Sequence, residues 1–361
     1  MYVGVWLKQI KAPGYEFNPG DMYLVSPEMR FKFQESFKKN NIENAIKYAE
    51  LNHVFEQYKF DNANTVMIVR TGGIGDIVAL SSICEYLTGK NIIFITSEAM
   101  KPVFNWYSNQ RVRVVSFNEP VFSGGLTDLM LRSGTIKRMY CDGIIENGET
   151  DNWYKVFFDN IGVNSSTDWW RPSMRTIRTT QKPSNISKEK KSILICPRAS
   201  ANMRSMSFET LYDAVKPLFP DANIYVHSGN VTEEEITWIA DSNVKVIKAL
   251  DVKEFLLDVY DADLVVSVDT GALHFREGIC KPAVGLYSSF NTYSRTVGYK
   301  FTKSYDIVSR CDLQPCFIHQ TEWDQVCEKS KIGSKVAPCL DRKINKTLVD
   351  QITEALKDFA L

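Results

Sequence analysis

The first residues that could do chemistry lie in Thr71-Gly72-Gly73-Ile74-Gly75-Asp76, a glycine-rich turn ending on a carboxylate. Three readings compete. As a helix cap, Asp76 would accept a hydrogen bond from the following amides and do nothing more. As a dinucleotide fingerprint, the turn would seat a pyrophosphate on the helix N-terminus, with Glu98 standing about 20 residues on to hold a ribose. The spacing Gly72-Gly73-x-Gly75-x-x-Val78 departs from that fingerprint. A carboxylate at the helix start would also compete with pyrophosphate for the same amides. As a general base, a rigidly held and reachable carboxylate would take the proton of an attacking hydroxyl.

A second constellation is Leu264-Val-Val-Ser-Val-Asp269-Thr270-Gly271-Ala-Leu-His274, an apolar strand running into Asp-Thr-Gly and then a helix. The Thr270 and Gly271 amides and the helix N-terminus form a ready anion site, and Gly271 lets the backbone approach a phosphate closely. The bland alternatives are a helix cap for Asp269 and a satisfied buried histidine for His274. A third stretch, Pro197-Arg198-Ala-Ser200-Ala-Asn-Met-Arg204, follows the apolar run Ile193–Cys196 and places two guanidinium groups after it. Either arginine could instead be a solvated surface charge.

These turns need elements to position them. From residue 64 short β-branched runs alternate with helical stretches: Thr65–Arg70, a helix from about Asp76 to Leu87, Asn91–Thr96, a helix over Glu98–Tyr107, then Val112–Phe117. Residues 171–191, with Pro172 and Pro183, read as a linker. The alternation then restarts, with strands at Ser192–Cys196, Asn223–His227, Val244–Ile247, Leu264–Val268 and Ala283–Tyr287, and an amphipathic helix over Lys346–Phe359 closes the chain. Such alternation predicts an α/β chain of two Rossmann-like, doubly wound parallel-sheet domains, 61–175 and 190–345, followed by a terminal helix at 346–361. Two such domains would set a ligand cleft at the carboxyl ends of their strands. Residues 1–60 break the pattern, with strand candidates at Val3–Ile10 and Met22–Val25 and a helical reading over Met29–Phe55. They predict a small N-terminal α+β addition with an acceptor-binding or assembly role.

Bulk composition narrows the classes. Lys plus Arg equals Asp plus Glu at 43 each, so a chain of 361 residues has no net charge. That disfavours nucleic acid as a partner without excluding it. No apolar run spans a bilayer and the N-terminus lacks a signal-peptide layout, which predicts a cytoplasmic protein, or one peripheral to the inner face of the membrane. In that compartment the eight cysteines stay reduced or bind metal. Cys311, Cys316, Cys327 and Cys339 crowd one region with His319, but without the paired spacing of a strong zinc site. Structural zinc or iron and reduced packing thiols both remain open.

The stretch Ile68-Val-Arg-Thr-Gly-Gly-Ile-Gly-Asp-Ile-Val-Ala resembles the opening motif of the heptosyltransferase-like family, glycosyltransferase family 9. The Asp269-Thr270-Gly271-x-x-His274 stretch resembles that family's donor-binding motif, and Lys281-Pro-Ala-Val-Gly-Leu-Tyr its next strand. The resemblance covers about residues 64–345 and implies the GT-B fold, with Asp76 as general base and Gly72, Gly73 and Gly75 near the acceptor. It implies that Arg198, Ser200, Arg204, Asp269, Thr270, Gly271 and His274 bind the donor. Arg204 stands where the family has a phosphate-binding Lys; Arg198, Met206 and Ser207 depart from the usual Gly and Trp-Pro. Some relatives that glycosylate proteins use four cysteines for a metal finger. The implied activity is inverting transfer from a nucleotide-diphosphate sugar, ADP-heptose by resemblance, to a saccharide, glycolipid or protein hydroxyl. No catalytic metal is required, and a homo-oligomer is compatible with everything above. An NAD-dependent oxidoreductase, a nucleotide-sugar epimerase and a non-catalytic protein on the same scaffold are the other readings. Asp76 argues against the first, and joint retention of Asp76, Asp269-Thr-Gly and His274 against the last.

Overall fold

The computed structural model describes residues 2–6, 10–12, 15–17, 22–25, 27–42, 45–50, 65–70, 73–87, 89–107, 109–116, 137–140, 152–161, 170–172, 174, 184–200, 202–240, 242–309 and 336–359, with isolated positions between 311 and 329. Gly72, His319 and linker residues 175–183 lie outside the described residues. Two compact units emerge: Met1–Gly72 with Leu87–Lys101 and Asn109–Asp142, and Gly73–Tyr86 with Pro102–Ser108 and Gly143–Leu361.

In the first unit, β1 (Tyr2–Trp6) pairs antiparallel with β4 (Met22–Val25) and β5 (Ile46–Glu50), while β2 (Ile10–Ala12) and β3 (Tyr15–Phe17) form a hairpin. The expected helix over Met29–Phe55 is shorter. It runs over Pro27–Lys39 (α1), stops at Asn40-Asn41, where Asn41 takes a left-handed φ of 55°, and the chain then returns as β5. Asparagine is among the few residues that enter that region cheaply. A parallel sheet follows, β6 (Thr65–Val69), β7 (Asn91–Thr96), β8 (Val112–Ser116) and β9 (Lys137–Tyr140), ordered β8-β7-β6-β9. The helix expected over Glu98–Tyr107 is a 3-10 helix, Glu98–Trp106, with Pro102 inside it. Proline has no N–H for a longer ladder.

The second unit contains α2 (Ile74–Ile83), α3 (Trp153–Ile161) and a six-stranded sheet. Its strands are β10 (Ser192–Cys196), β11 (Asn223–His227), β12 (Val244–Ile247), β13 (Leu264–Val268), β14 (Ala283–Tyr287) and β15 (Thr302–Asp306). Every pair is parallel and the order is β12-β11-β10-β13-β14-β15, the 3-2-1-4-5-6 order of a doubly wound sheet. Strands β10, β13 and β14 are buried along their whole length, which explains their continuous apolar sequences. The helices are α4 (Phe208–Val215), α5 (Glu233–Ala240), α6 (Val252–Asp261), α7 (Gly271–Gly278), α8 (Thr292–Thr296) and α9 (Leu348–Leu356). Leu348, Ile352 and Leu356 of α9 and Phe208, Leu211 and Val215 of α4 enter one core with the sheet. The chain is thus mixed α/β with two parallel sheets. No helix among the described residues is long and apolar enough to cross a membrane.

Candidate functional site

The strand order of the second unit reverses between β10 and β13, and open parallel sheets bind ligands at the carboxyl ends of the strands flanking such a point. Arg204 ends the 3-10 turn Asn202–Arg204 after β10, and Asp269 follows β13 directly. Arg204 Nη1 donates to both the carbonyl and Oδ2 of Asp269, each at 3.3 Å, and its Nη2 donates to Ser200 Oγ at 2.8 Å. Burial alone would raise the Asp269 carboxyl. The neighbouring His274 and the guanidinium groups of Arg204 and Arg295 outweigh it and hold Asp269 well below the usual carboxylate range.

Thr270, rather than Asp269, caps α7. Its hydroxyl accepts from the Ala272 amide at 3.3 Å and shares a 2.8 Å hydrogen bond with Ser267 Oγ. The Thr270 side chain is therefore committed to the fold, and any anion at this end would use the first-turn amides that a helix leaves unpaired. One turn on, His274 is 3% exposed, and its Nδ1 lies 2.6 Å from the Tyr299 hydroxyl. Its Nε2 is 3.8 Å from Asp269 Oδ1, an electrostatic contact rather than a hydrogen bond. Burial pushes the imidazole below its ordinary value, against the pull of Asp269 and Asp76, so His274 is neutral near pH 7. Burial likewise holds the Tyr299 and Tyr154 phenols protonated, and these two hydroxyls lie 2.9 Å apart. A Tyr299 O–H donating to Nδ1 leaves the ring proton on Nε2, toward Asp269.

Two glycines bring Asp76 into the same cluster. A Cβ at Gly75 would stand 2.5 Å from His274 Cδ2, and a Cβ at Gly271 would stand 2.6 Å from Ile74 Cβ and 2.9 Å from the Gly75 amide nitrogen. The N-termini of α2 and α7 therefore touch through backbone, which only glycine allows at these two positions. Gly73, at φ +77°, starts α2, and the Asp76 carboxylate folds back against it so closely that a Cβ there would lie 2.3 Å from Oδ2. Asp76 thus stands at the third helical position, where a carboxylate can reach back over the first turn. Its charge reaches both His274 and Arg295.

Of the residues singled out in the sequence, Asp76, Gly75, Ser200, Arg204, Asp269, Thr270, Gly271 and His274 are thus brought together. Arg198 pairs with Glu235. Its Nη2 lies 2.9 Å from both carboxylate oxygens of Glu235, which also accept the Phe208 and Thr232 amides at 2.8 Å, so that pair holds the start of α4 and α5. Two residues with no motif of their own join the cluster. Trp153 of α3 lies 4.5 Å from the His274 ring, and Arg295 of α8 lies over Trp153 and Phe290 at 4.7 and 3.6 Å. The one sequence signal for Arg295 is that Thr292-Tyr-Ser-Arg295-Thr follows a buried parallel strand, and Trp153 has none.

The cysteine quartet stands apart. Burial, reinforced by Cys316, Cys327 and Cys311, pushes the Cys339 thiol up to about 12, which places all four in one neighbourhood. Among the described residues no group of three or more His, Cys, Asp or Glu is arranged to hold a metal ion.

The family model of glycosyltransferase family 9 (heptosyltransferase) matches residues 146–326. No curated protein matches the sequence. Among solved structures, the iron-containing dodecameric glycosyltransferase TibC from enterotoxigenic E. coli is similar at a TM-score of 0.52 and 10% identity, over 81% of this chain and 77% of that one. TibC has also been solved with ADP-D-β-D-heptose. A glycosyltransferase family 9 protein from Veillonella parvula gives a TM-score of 0.47 at 12% identity over 68% of this chain and 86% of that one. The heptosyltransferase WaaC of E. coli, solved with ADP, gives 0.45 at 14% identity over 68% and 93%. The match spans just over half of the sequence and the TibC fold agrees with it: the chain belongs to glycosyltransferase family 9 (heptosyltransferase).

Proposed function

We propose that this glycosyltransferase moves a sugar from a nucleotide-diphosphate donor to an acceptor hydroxyl with inversion, with Asp76 as general base and no catalytic metal. One observation carries the reading. A carboxylate on the N-terminus of α2 is held by glycine contact against the N-terminus of α7, beside Arg204. The α7 end and Arg204 would hold the diphosphate and stabilise its charge as the glycosidic bond breaks. The acceptor hydroxyl would pass its proton to Asp76 while its oxygen attacks the anomeric carbon from the opposite face, expelling the nucleoside diphosphate. Direct displacement of this kind inverts that carbon. Neutral, hydrogen-bonded His274 would hold the geometry of Asp269 and the α7 end rather than carry a proton.

The family description favours a heptose, and the TibC complex makes ADP-heptose the first donor to test. The acceptor class stays saccharide, glycolipid or protein, with residues 1–60 the proposed acceptor or assembly element. The dodecamer reported for TibC supports testing for a homo-oligomer. Iron is reported for TibC as well, and elemental analysis decides the cysteine quartet: one ion per chain, lost in Cys339→Ser, would establish a structural metal, and a metal-free chain would leave packing thiols.

Asp76→Asn tests the central assignment. Donor binding should stay near the parent value while turnover falls by about 10²–10⁴-fold, the scale of a positioned acid–base group. Transfer at the parent rate by that variant would remove Asp76 from the mechanism.

A further inference from the structure

We propose that Arg295 is a second phosphate-binding residue of the transfer site, gripping the donor diphosphate opposite Arg204; the inference rests on the donor class proposed above. Arg295 is 6% exposed, and its buried Nε has no hydrogen-bond partner among the described residues. Its neighbours are the rings of Trp153 and Phe290, 4.7 and 3.6 Å from Cζ. Ring faces satisfy a cation's charge but none of its five N–H donors. Burying a guanidinium without hydrogen bonds is costly, so the arrangement calls for an acceptor-rich partner.

The surroundings say what that partner is. The charges whose fields reach Arg295 are Asp269, Asp76 and Arg204. Among the described residues no carboxylate lies within ion-pair distance of Arg295, whereas Arg204 already binds Asp269. Two more buried donors here, Arg204 Nε and Trp153 Nε1, also have no acceptor among the described residues. A cluster rich in donors, set beside the α7 N-terminus, suits a ligand made of acceptor oxygens and carrying negative charge. A phosphate group has that chemistry, and a guanidinium fork matches it geometrically. Arg295 lies in α8, the helix that follows β14, and β14 pairs with the switch-point strand β13.

Calorimetric titration of the full chain with ADP and with inorganic pyrophosphate tests this. Arg295→Met keeps bulk and loses charge; Arg295→Lys keeps the charge and loses the fork. Expected is a loss of ADP and pyrophosphate affinity of at least ~10-fold in Arg295→Met, the size of one charged hydrogen bond, and a smaller but measurable loss in Arg295→Lys. ADP and pyrophosphate affinities within ~2-fold of the parent in a folded Arg295→Met would overturn the proposal and leave Arg295 as ring packing. Should that variant fail to fold, parent-like affinities in Arg295→Lys overturn it equally. A parent chain that binds neither ADP nor pyrophosphate, at any concentration that binds a nucleotide sugar of another base, overturns the inference while leaving the transferase reading standing. A parent chain that binds no nucleotide sugar at all overturns both.

Discussion

Gly75→Ala puts one methyl group into the contact between the starts of α2 and α7. The added Cβ would lie 2.5 Å from His274 Cδ2, 3.3 Å from Nε2 and 3.4 Å from Gly271 Cα. Carbon atoms in contact prefer about 3.5–4.0 Å, so something must yield by roughly 1 Å. His274 is poorly placed to yield, being 3% exposed, tied to Tyr299 at 2.6 Å and packed on Trp153. Gly271 has no room either, because its own α-carbon already faces Ile74 and the Gly75 amide. The start of α2 is therefore the element that moves, and Asp76 moves with it. Overpacking of this kind costs about 1–3 kcal/mol, and replacing a helical glycine by alanine returns up to about 1 kcal/mol. The expected net destabilisation is thus only about 0–2 kcal/mol, while a displacement of about 1 Å of a catalytic group can cost about 10²-fold in turnover. Urea unfolding and steady-state release of nucleoside diphosphate in the presence of acceptor measure the two separately. Gly229→Ala, where an added Cβ meets nothing within 4 Å, is the control and should change neither. Parent turnover in a folded Gly75→Ala would refute the idea that this helix contact sets the catalytic geometry.

Two stability outcomes follow from charges elsewhere in the second unit. Glu235→Gln strips the anion from a pair with Arg198 whose side chains are 14% and 8% exposed, so about 3 kcal/mol or more should be lost in urea unfolding, and a loss under about 1 kcal/mol would show the pair to be dispensable. Burial lowers both His227 and His274 below the ordinary imidazole value, so the unfolded chain binds protons that the folded chain refuses. The stability these residues contribute is present above about pH 6.5 and is lost as pH falls below it, and equal urea midpoints at pH 7.5 and 5.5 would contradict that.

Much of this was readable in the chain because parallel strands buried on both faces leave continuous apolar runs. Leu264–Val268 and Ala283–Tyr287 were bounded correctly for that reason. Residues at the ends of such strands inherit their position, and so Arg204, Asp269 and His274 could be named as one cluster. The failures have local causes. Strand β5 was hidden inside an unbroken helical pattern that contains no Gly or Pro, and the break is a single left-handed Asn41. Strand β15, Thr302–Asp306, is polar and only partly buried, so it lacks the apolar run that marked its neighbours. Arg295, Trp153 and Tyr299 belong to no motif. Only folding brings a residue before the linker and two residues beyond β14 against His274, and periodicity carries no information about such meetings.

The charge count of the cluster explains how so polar a site can be buried. With His274 neutral, Asp76 and Asp269 balance Arg204 and Arg295. The two arginines repel one another across that cluster, and Asp269 is the anion whose field acts on both. Removing Asp269 would therefore leave two cations with Asp76 as the remaining acid of the cluster, a state costlier than the loss of one hydrogen bond. A neutral site also has no excess field to attract anions at long range, in keeping with the zero net charge of the chain. Affinity for the proposed diphosphate would then come at short range, from directed donors on Arg204, Arg295 and the first turn of α7. Donors fixed before the donor arrives need no reorganisation as charge builds on the leaving phosphate, which is the condition for electrostatic stabilisation of the transition state. On the proposed mechanism Asp269 would be the structural anion that lets the cations wait there, and Asp76 the acid that takes the acceptor's proton.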